Sequence, residues 1–188
     1  MEHREVELIL ARHAAPTLLG AKAASLVALP VQQFLHPAQI VQHCQQLLQG
    51  CGVQFRLLGG CPRTTLMLAY RPALLETQLR DPKAQKILAA YGYPLKQGLD
   101  AMLDHLAQCL QQQGDFPHEI GLFLDYPPED VLGFIRTGGA DCKLCGYWKV
   151  YSDVETARTR FACYDACRQC LCGLVEAGQS LEQLLKAA

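Results

Sequence analysis

The sequence predicts a mixed fold, α/β or α+β, in a single compact domain (1–188) with a central mixed or antiparallel sheet of about four strands flanked by helices. Three observations carry this. The runs "VQFRLLG", "TTLMLAY" and "CGYWKVY" are rich in branched and aromatic residues, the composition of strands. Elsewhere apolar residues recur three or four apart, most clearly at Leu95, Leu99, Met102, Leu103, Leu106 and Leu110, which is the helical period. Finally, 188 residues, 50% of them hydrophobic and 19% charged, furnish one domain with its core, and nothing repeats internally.

Along the chain, residues 3 to 12 read as an amphipathic helix. "HAAPTLLGAKAASLVALP", His13 to Pro30, reads as a less regular segment interrupted by Pro16, Gly20 and Pro30. A helix is expected from Pro37 to Leu48, because proline is tolerated in a first turn. The two runs around Val53 and Leu66 then form an antiparallel hairpin, with Gly59, Gly60 and Pro62 between them. "RPALLETQL" and "PKAQKILAAYG" are short helices separated by Asp81-Pro82, and "PLKQGLDAMLDHLAQCLQQQG" is a long helix stopping at Gly114.

A strand is expected over about Ile120 to Leu124, then a helix from Pro128 to Ile135. Glu129 and Asp130 set negative charge beside the unpaired amides of that helix's first turn. "CGYWKVY" is read as a further strand. Ser152 or Asp153 caps a helix running towards Leu174, and Ser180 caps a short terminal one. The strands around Val53, Leu66, Ile120 and Trp148 are expected in one sheet, with the Leu95 to Leu110 helix over an apolar face.

Composition narrows the function classes. A net charge of -1 with no segment rich in Lys and Arg argues against nucleic-acid binding, which needs local positive charge for phosphate contacts. No apolar run approaches the roughly 18 residues that span a bilayer. The N-terminus lacks the pattern of a signal peptide, so a cytoplasmic location is expected. Ten cysteines in such a chain are core fillers, metal ligands or redox groups rather than a disulfide framework.

Two motifs draw attention as candidate sites. "FPHEIG" places His118 and Glu119 at the mouth of the expected strand. Alternation would set His118, Ile120 and Leu122 on one face and Glu119, Gly121 and Phe123 on the other, so the two ionisable groups diverge. His118 is read either as bonding locally or as touching a ligand or a transferred proton. Glu119 is expected to bond to backbone or to a cationic side chain. "GYWKVY" sets Tyr147, Lys149 and Tyr151 on one face, suited to an anionic ligand, with Trp148 and Val150 opposite. His118 and Tyr147 are expected near each other at one sheet margin.

The cysteines admit three readings. Cys142, Cys145, Cys167 and Cys170 form two C-x2-C pairs, the ligand set of a four-thiolate zinc site, which makes zinc the one candidate cofactor. The pairs also admit a dithiol redox role. Against both, Cys163, Cys167 and Cys170 form an i, i+4, i+7 stripe, the pattern of buried thiols, and this is the leading reading. Cys61, in "LLGGCPRT", reads as a turn cysteine, and that stretch lacks the Gly-Lys-Ser/Thr of a phosphate loop.

The stretches "HAAPTLLGAK", "AYRPALLETQL", "GYP", "FPHEIGLFLDYPPEDVLGFI" and "GYWKVY" resemble the DUF3793 family, bacterial proteins seen mainly in Firmicutes, over most of the chain. The resemblance brings no reaction and no cofactor. Members commonly carry Cys where this chain has Ala14, so a Cys-His hydrolase built on that position is excluded here. The leading functional expectation is an intracellular small-molecule ligand-binding or regulatory domain with "FPHEIG" and "GYWKVY" as its recognition surface. The alternatives are an enzyme using His118 as general acid/base, with Glu119 or Tyr147 orienting substrate, and an interaction domain stabilised by four-cysteine zinc. No protein partner is indicated.

Overall fold

In the computed structural model, which describes residues 3–111 and 116–186, the chain is α+β. Helix α1 (His3–Leu18) leads into strand β1 (Ala24–Pro30), and α2 (Pro37–Leu47) precedes the hairpin of β2 (Gln54–Cys61) and β3 (Thr64–Tyr70). These strands form an antiparallel sheet in the order β1-β3-β2. Then come α3 (Pro72–Leu79), α4 (Pro82–Ala90), α5 (Gly98–Gln111), the four-residue α6 (Ile120–Phe123) and α7 (Pro128–Thr137). A two-stranded ribbon pairs β4 (Leu144–Cys145) with β5 (Lys149–Val150), and α8 (Val154–Glu176) and α9 (Leu181–Lys186) follow.

The three-stranded sheet is buried on both faces because its side chains alternate with a period of two and each face has an apolar partner. On one face Val27, Phe55, Met67 and Ala69 meet Leu10 and Leu18 of α1, Ile40 of α2 and Leu171 of α8. On the other, Leu58, Leu68 and Tyr70 meet Leu75, Leu88, Leu103, Leu106 and Phe123 from α3 to α6. Strand β3 is central, which explains why its apolar run is nearly continuous. A register shift between Leu57 and Gly59 bulges β2, and Leu58 packs with the second core while its neighbour Leu57 packs with the first. A smaller third cluster gathers Trp148, Val150, Ala157 and Tyr164 under the ribbon.

Local signals account for most helix ends. Asp81 accepts from the amides of Lys83 and Ala84, Asp153 from those of Glu155 and Thr156, and the Ser180 hydroxyl from that of Glu182. Pro37, Pro72, Pro82 and Pro128 all sit in first turns, where no amide is needed. The expected stop at Gly114 lies outside the described residues.

The sheet departs from expectation in three places. Residues 24–30 form an edge strand, although their alanines and flanking prolines suggested an irregular segment; pairing with β3 supplies what propensity does not, and Pro30 falls at the strand's end, where a missing donor is harmless. Residues 120–123 form a helical turn, not a strand. All four are buried, so the alternation that marks a half-buried strand is missing, and a short apolar run does not distinguish the two conformations. "CGYWKVY" is not one strand: Lys149 and Val150 form a two-residue strand that folds back onto Leu144 and the motif's own Cys145. The result is three strands plus two rather than one sheet of four. Pro16 also fails to break α1: it lies in the last turn, and Ala11, Ala14, Ala15 and Leu18 around it are fully buried.

Strand β2 admits no side chain at residue 60, one position before its end at the hairpin. Gly60 has φ +156°, and a Cβ there would stand 2.1 Å from the Thr64 carbonyl oxygen. Gly60→Ala is therefore expected to cost roughly 1–3 kcal/mol of stability, read as a lower urea midpoint at unchanged denaturant slope.

Candidate functional site

The site is organised by a carboxylate in the first turn of α7. Pro127 and Pro128 fix the chain's entry, and the two acidic residues that follow diverge. Glu129 stays on the surface and pairs with Lys83. Asp130 turns inward, to 2% exposure. Its Oδ2 accepts from Trp148 Nε1 at 2.7 Å, and its Oδ1 accepts from the amides of Tyr151 and Ser152 at 2.8 and 2.7 Å. A buried carboxylate is stable only when its lone pairs are met, and three donors from one ribbon meet these.

That clamp holds Trp148 against Tyr126, stacked at 5.2 Å, and against Phe161 of α8, edge-on at 4.5 Å. The ribbon approaches α8 closely because residue 146 is glycine; a Cβ there would lie 2.2 Å from the Phe161 ring. Between α6, α7 and the ribbon a cleft of about 340 Å³ remains. Its walls include His118 and Ile120 on one side, Val131 and Phe134 of α7, and Trp148 and Lys149 of the ribbon.

The structure brings only part of the expected residue set to this cleft. His118 is exposed at its rim, its ring edge-on to Phe134 at 4.9 Å. Lys149 donates to the Gly139 carbonyl at 2.5 Å and lies over the Phe134 ring. Glu119 points the other way. It is buried and accepts from the Tyr93 hydroxyl at 3.0 Å, so its partner is neither backbone nor a cation, and it does not orient His118. Burial and the Glu119 charge raise the Tyr93 pKa, which keeps that hydroxyl protonated as the donor. Tyr147 lines a separate cavity and donates to Asp165 at 2.9 Å; burial and that bond raise its pKa to about 12. Tyr151 accepts from Thr137 at 3.2 Å and is not among the cleft walls.

The cysteines form neither a metal site nor a buried stripe. All ten are free. Among the described residues no group of three or more His, Cys, Asp or Glu is placed to hold a metal ion, so Cys142, Cys145, Cys167 and Cys170 do not converge as zinc ligands. Cys145 belongs to a strand rather than to a knuckle, and Cys163 and Cys170 are exposed on α8, whose buried line is Ala157, Tyr164, Leu171 and Val175. Cys61 is exposed at the hairpin, where backbone donors lower its pKa. No described helix is long and apolar enough to cross a membrane.

Several residues at the site escaped sequence reasoning. Asp125, with φ +63°, pairs with Arg160 of α8 at 2.9 Å and accepts from the Ala23 amide at 3.2 Å, joining the segment entering β1, the α6–α7 turn and α8. Tyr126 divides the cleft from the cavity that holds Tyr147. Lys22 is buried, with its ammonium 5.4 and 5.6 Å from the ring centres of Tyr126 and Tyr164. The signal for Asp130 was present in "DYPPED", but a first-turn acid is ordinarily explained by the helix dipole alone.

The DUF3793 family, described as a protein of unknown function, matches residues 10–185, and the chain belongs to this family. No curated protein and no solved structure matches it.

Two outcomes follow from these contacts. Asp130→Ala leaves one buried and two part-buried donors without an acceptor and is expected to cost about 3 kcal/mol in chemical denaturation, with loss of the near-ultraviolet signal of Trp148. Lys22 gives a pH dependence. Burial lowers its pKa to about 8, against the partial opposition of Asp125. From about pH 8 to about 10.5 the unfolded chain holds a proton that the folded chain has released, so stability rises with pH across that window. Lys22→Met is expected to be more stable than the parent at pH 7, with the difference shrinking towards pH 10.5 in unfolding curves. A difference independent of pH would contradict this.

Proposed function

We propose that this DUF3793 protein is an intracellular binding domain for a small, mostly apolar molecule with an anionic or hydrogen-bond-accepting end, held between α6, α7 and the β4–β5 ribbon. The observation that carries the reading is convergence. "FPHEIG" and "GYWKVY", remote in sequence, contribute walls to one cleft whose apolar lining is interrupted by His118 and Lys149. Its volume of about 340 Å³ falls at the small end of the range of ligand pockets, about 300–1,000 Å³. The apolar body would rest on Val131, Phe134 and Trp148, and the polar end would take the ammonium of Lys149 or the imidazole of His118. Binding is favoured over acid/base catalysis because, among the described residues, His118 makes a ring contact and no hydrogen bond that would orient a proton transfer. Ten free thiols fit a reducing compartment such as the cytoplasm.

Trp148 is the one tryptophan of the chain, so its emission reports the cleft directly. Titration with 8-anilinonaphthalene-1-sulfonate, decanoate and indole-3-acetate is expected to give a saturable change with at least one of them. His118→Ala or Lys149→Met should weaken that binding by about tenfold, the loss of a charge-assisted contact. The absence of a saturable change with all three, or affinities indifferent to both substitutions, would defeat the proposal.

A further inference from the structure

We propose a second site, separate from the apolar cleft, in which the amine of Lys22 and the guanidinium groups of Arg12 and Arg168 bind a small oxyanion, a phosphate or carboxylate group. The cavity measures about 230 Å³ and shares Leu26, Leu124 and Tyr126 with the cleft as a common wall. Its polar lining is Arg12, His13, Lys22, Ser25, Tyr147 and Arg168, with no carboxylate among them. Three elements converge there: α1 brings Arg12 and His13, the segment entering β1 brings Lys22, and α8 brings Arg168.

Lys22 makes this more than a basic patch. Only 6% of the residue is exposed, yet among the described residues its ammonium makes no hydrogen bond or ion pair and meets only the faces of Tyr126 and Tyr164. Asp125, the carboxylate in its surroundings, is committed to Arg160 and to the Ala23 amide. Among the described residues no side-chain nitrogen or oxygen is both buried and unpaired, so the tip of this otherwise enclosed side chain meets solvent in a cavity, where a bound oxyanion would supply the acceptor that the protein does not. The same amine also borders a more open cavity of about 530 Å³, but there Asp81 and Asp125 offset Lys22 and Arg80, so that side lacks the excess of positive charge found in the smaller cavity. Arg168 bonds to Asp165 at 2.9 Å and Arg12 approaches Glu176 at 3.6 Å, each through one nitrogen, which leaves donors on both forks. His13 supports the sign of the field: burial and the charges of Arg12 and Arg168 lower its pKa.

Thermal unfolding of the full chain in sodium phosphate, in sodium succinate and in sodium chloride at matched ionic strength tests the site. One or both oxyanions should raise Tm saturably above the chloride control. A response to phosphate alone identifies a phosphoryl ligand, and a response to succinate alone a carboxylate. The shift should vanish in Lys22→Met and require about tenfold more anion in Arg168→Gln. It should be unchanged in His118→Ala, which touches only the apolar cleft, so this result is independent of that proposal. No excess shift with either anion, or an equal shift in Lys22→Met, would overturn the site. Should Lys22→Met fail to fold, Arg168→Gln, exposed on α8, decides: an unchanged anion requirement there overturns it.

Discussion

A carboxylate enclosed by protein must be met by donors, and much of the described site follows from how Asp130 is met. Its three donors come from residues 148, 151 and 152, all on one short ribbon. That ribbon pairs only two residues per strand, far too little to hold a hairpin in place by its ladder. Asp130 supplies the missing fixation and aims the Trp148 ring at Tyr126. Once Trp148 is placed, Phe161 and Arg160 of α8 pack against it, and the third hydrophobic cluster closes under the ribbon. The cleft is the space left between this clamped ribbon and α6.

Other ionisable groups drawn wholly or partly out of water obey the same rule with different partners. Glu119 has the Tyr93 hydroxyl, and Asp125 has Arg160 and a backbone amide. Each sits where two or three elements meet, so every charge taken from water fixes a junction that apolar packing alone would leave free to slide. Lys22 is the exception. Its stem is buried while its tip meets aromatic rings and cavity solvent rather than an acceptor, and the proposed oxyanion site rests on that difference.

Helices announced themselves in the sequence wherever a cap and a period coincided. Asp81, Asp153 and Ser180 each name the start of a helix, and Met102, Leu103 and Leu106 of the periodic run form the buried face of α5. Leu95 falls in the turn before that helix, which begins only at Gly98. The β2–β3 hairpin was legible from its glycines and branched runs. Segment 24–30 was not, because Ala and Ser have no strand preference and its pairing with β3 is decided at a distance. Ile120 to Phe123 misled for a related reason: a turn buried on every side shows no period at all. The divergence of His118 and Glu119 was foreseen on a strand and holds on a helical turn, since neighbouring side chains part in both. Trp148 and Val150 turn inward as alternation required, but Tyr147, Lys149 and Tyr151 each find a different partner, which no spacing rule reveals.

Native-state hydrogen exchange at the amides of Tyr151 and Ser152 tests the role of Asp130 most directly, because neither amide belongs to a strand or helix and both are held by its Oδ1. If the carboxylate anchors the ribbon, these two amides exchange as slowly as those in the central strand β3. Exchange as fast as that of an exposed turn amide, such as Asp141, would show that the ribbon opens freely and that the cleft is not a standing feature of the fold.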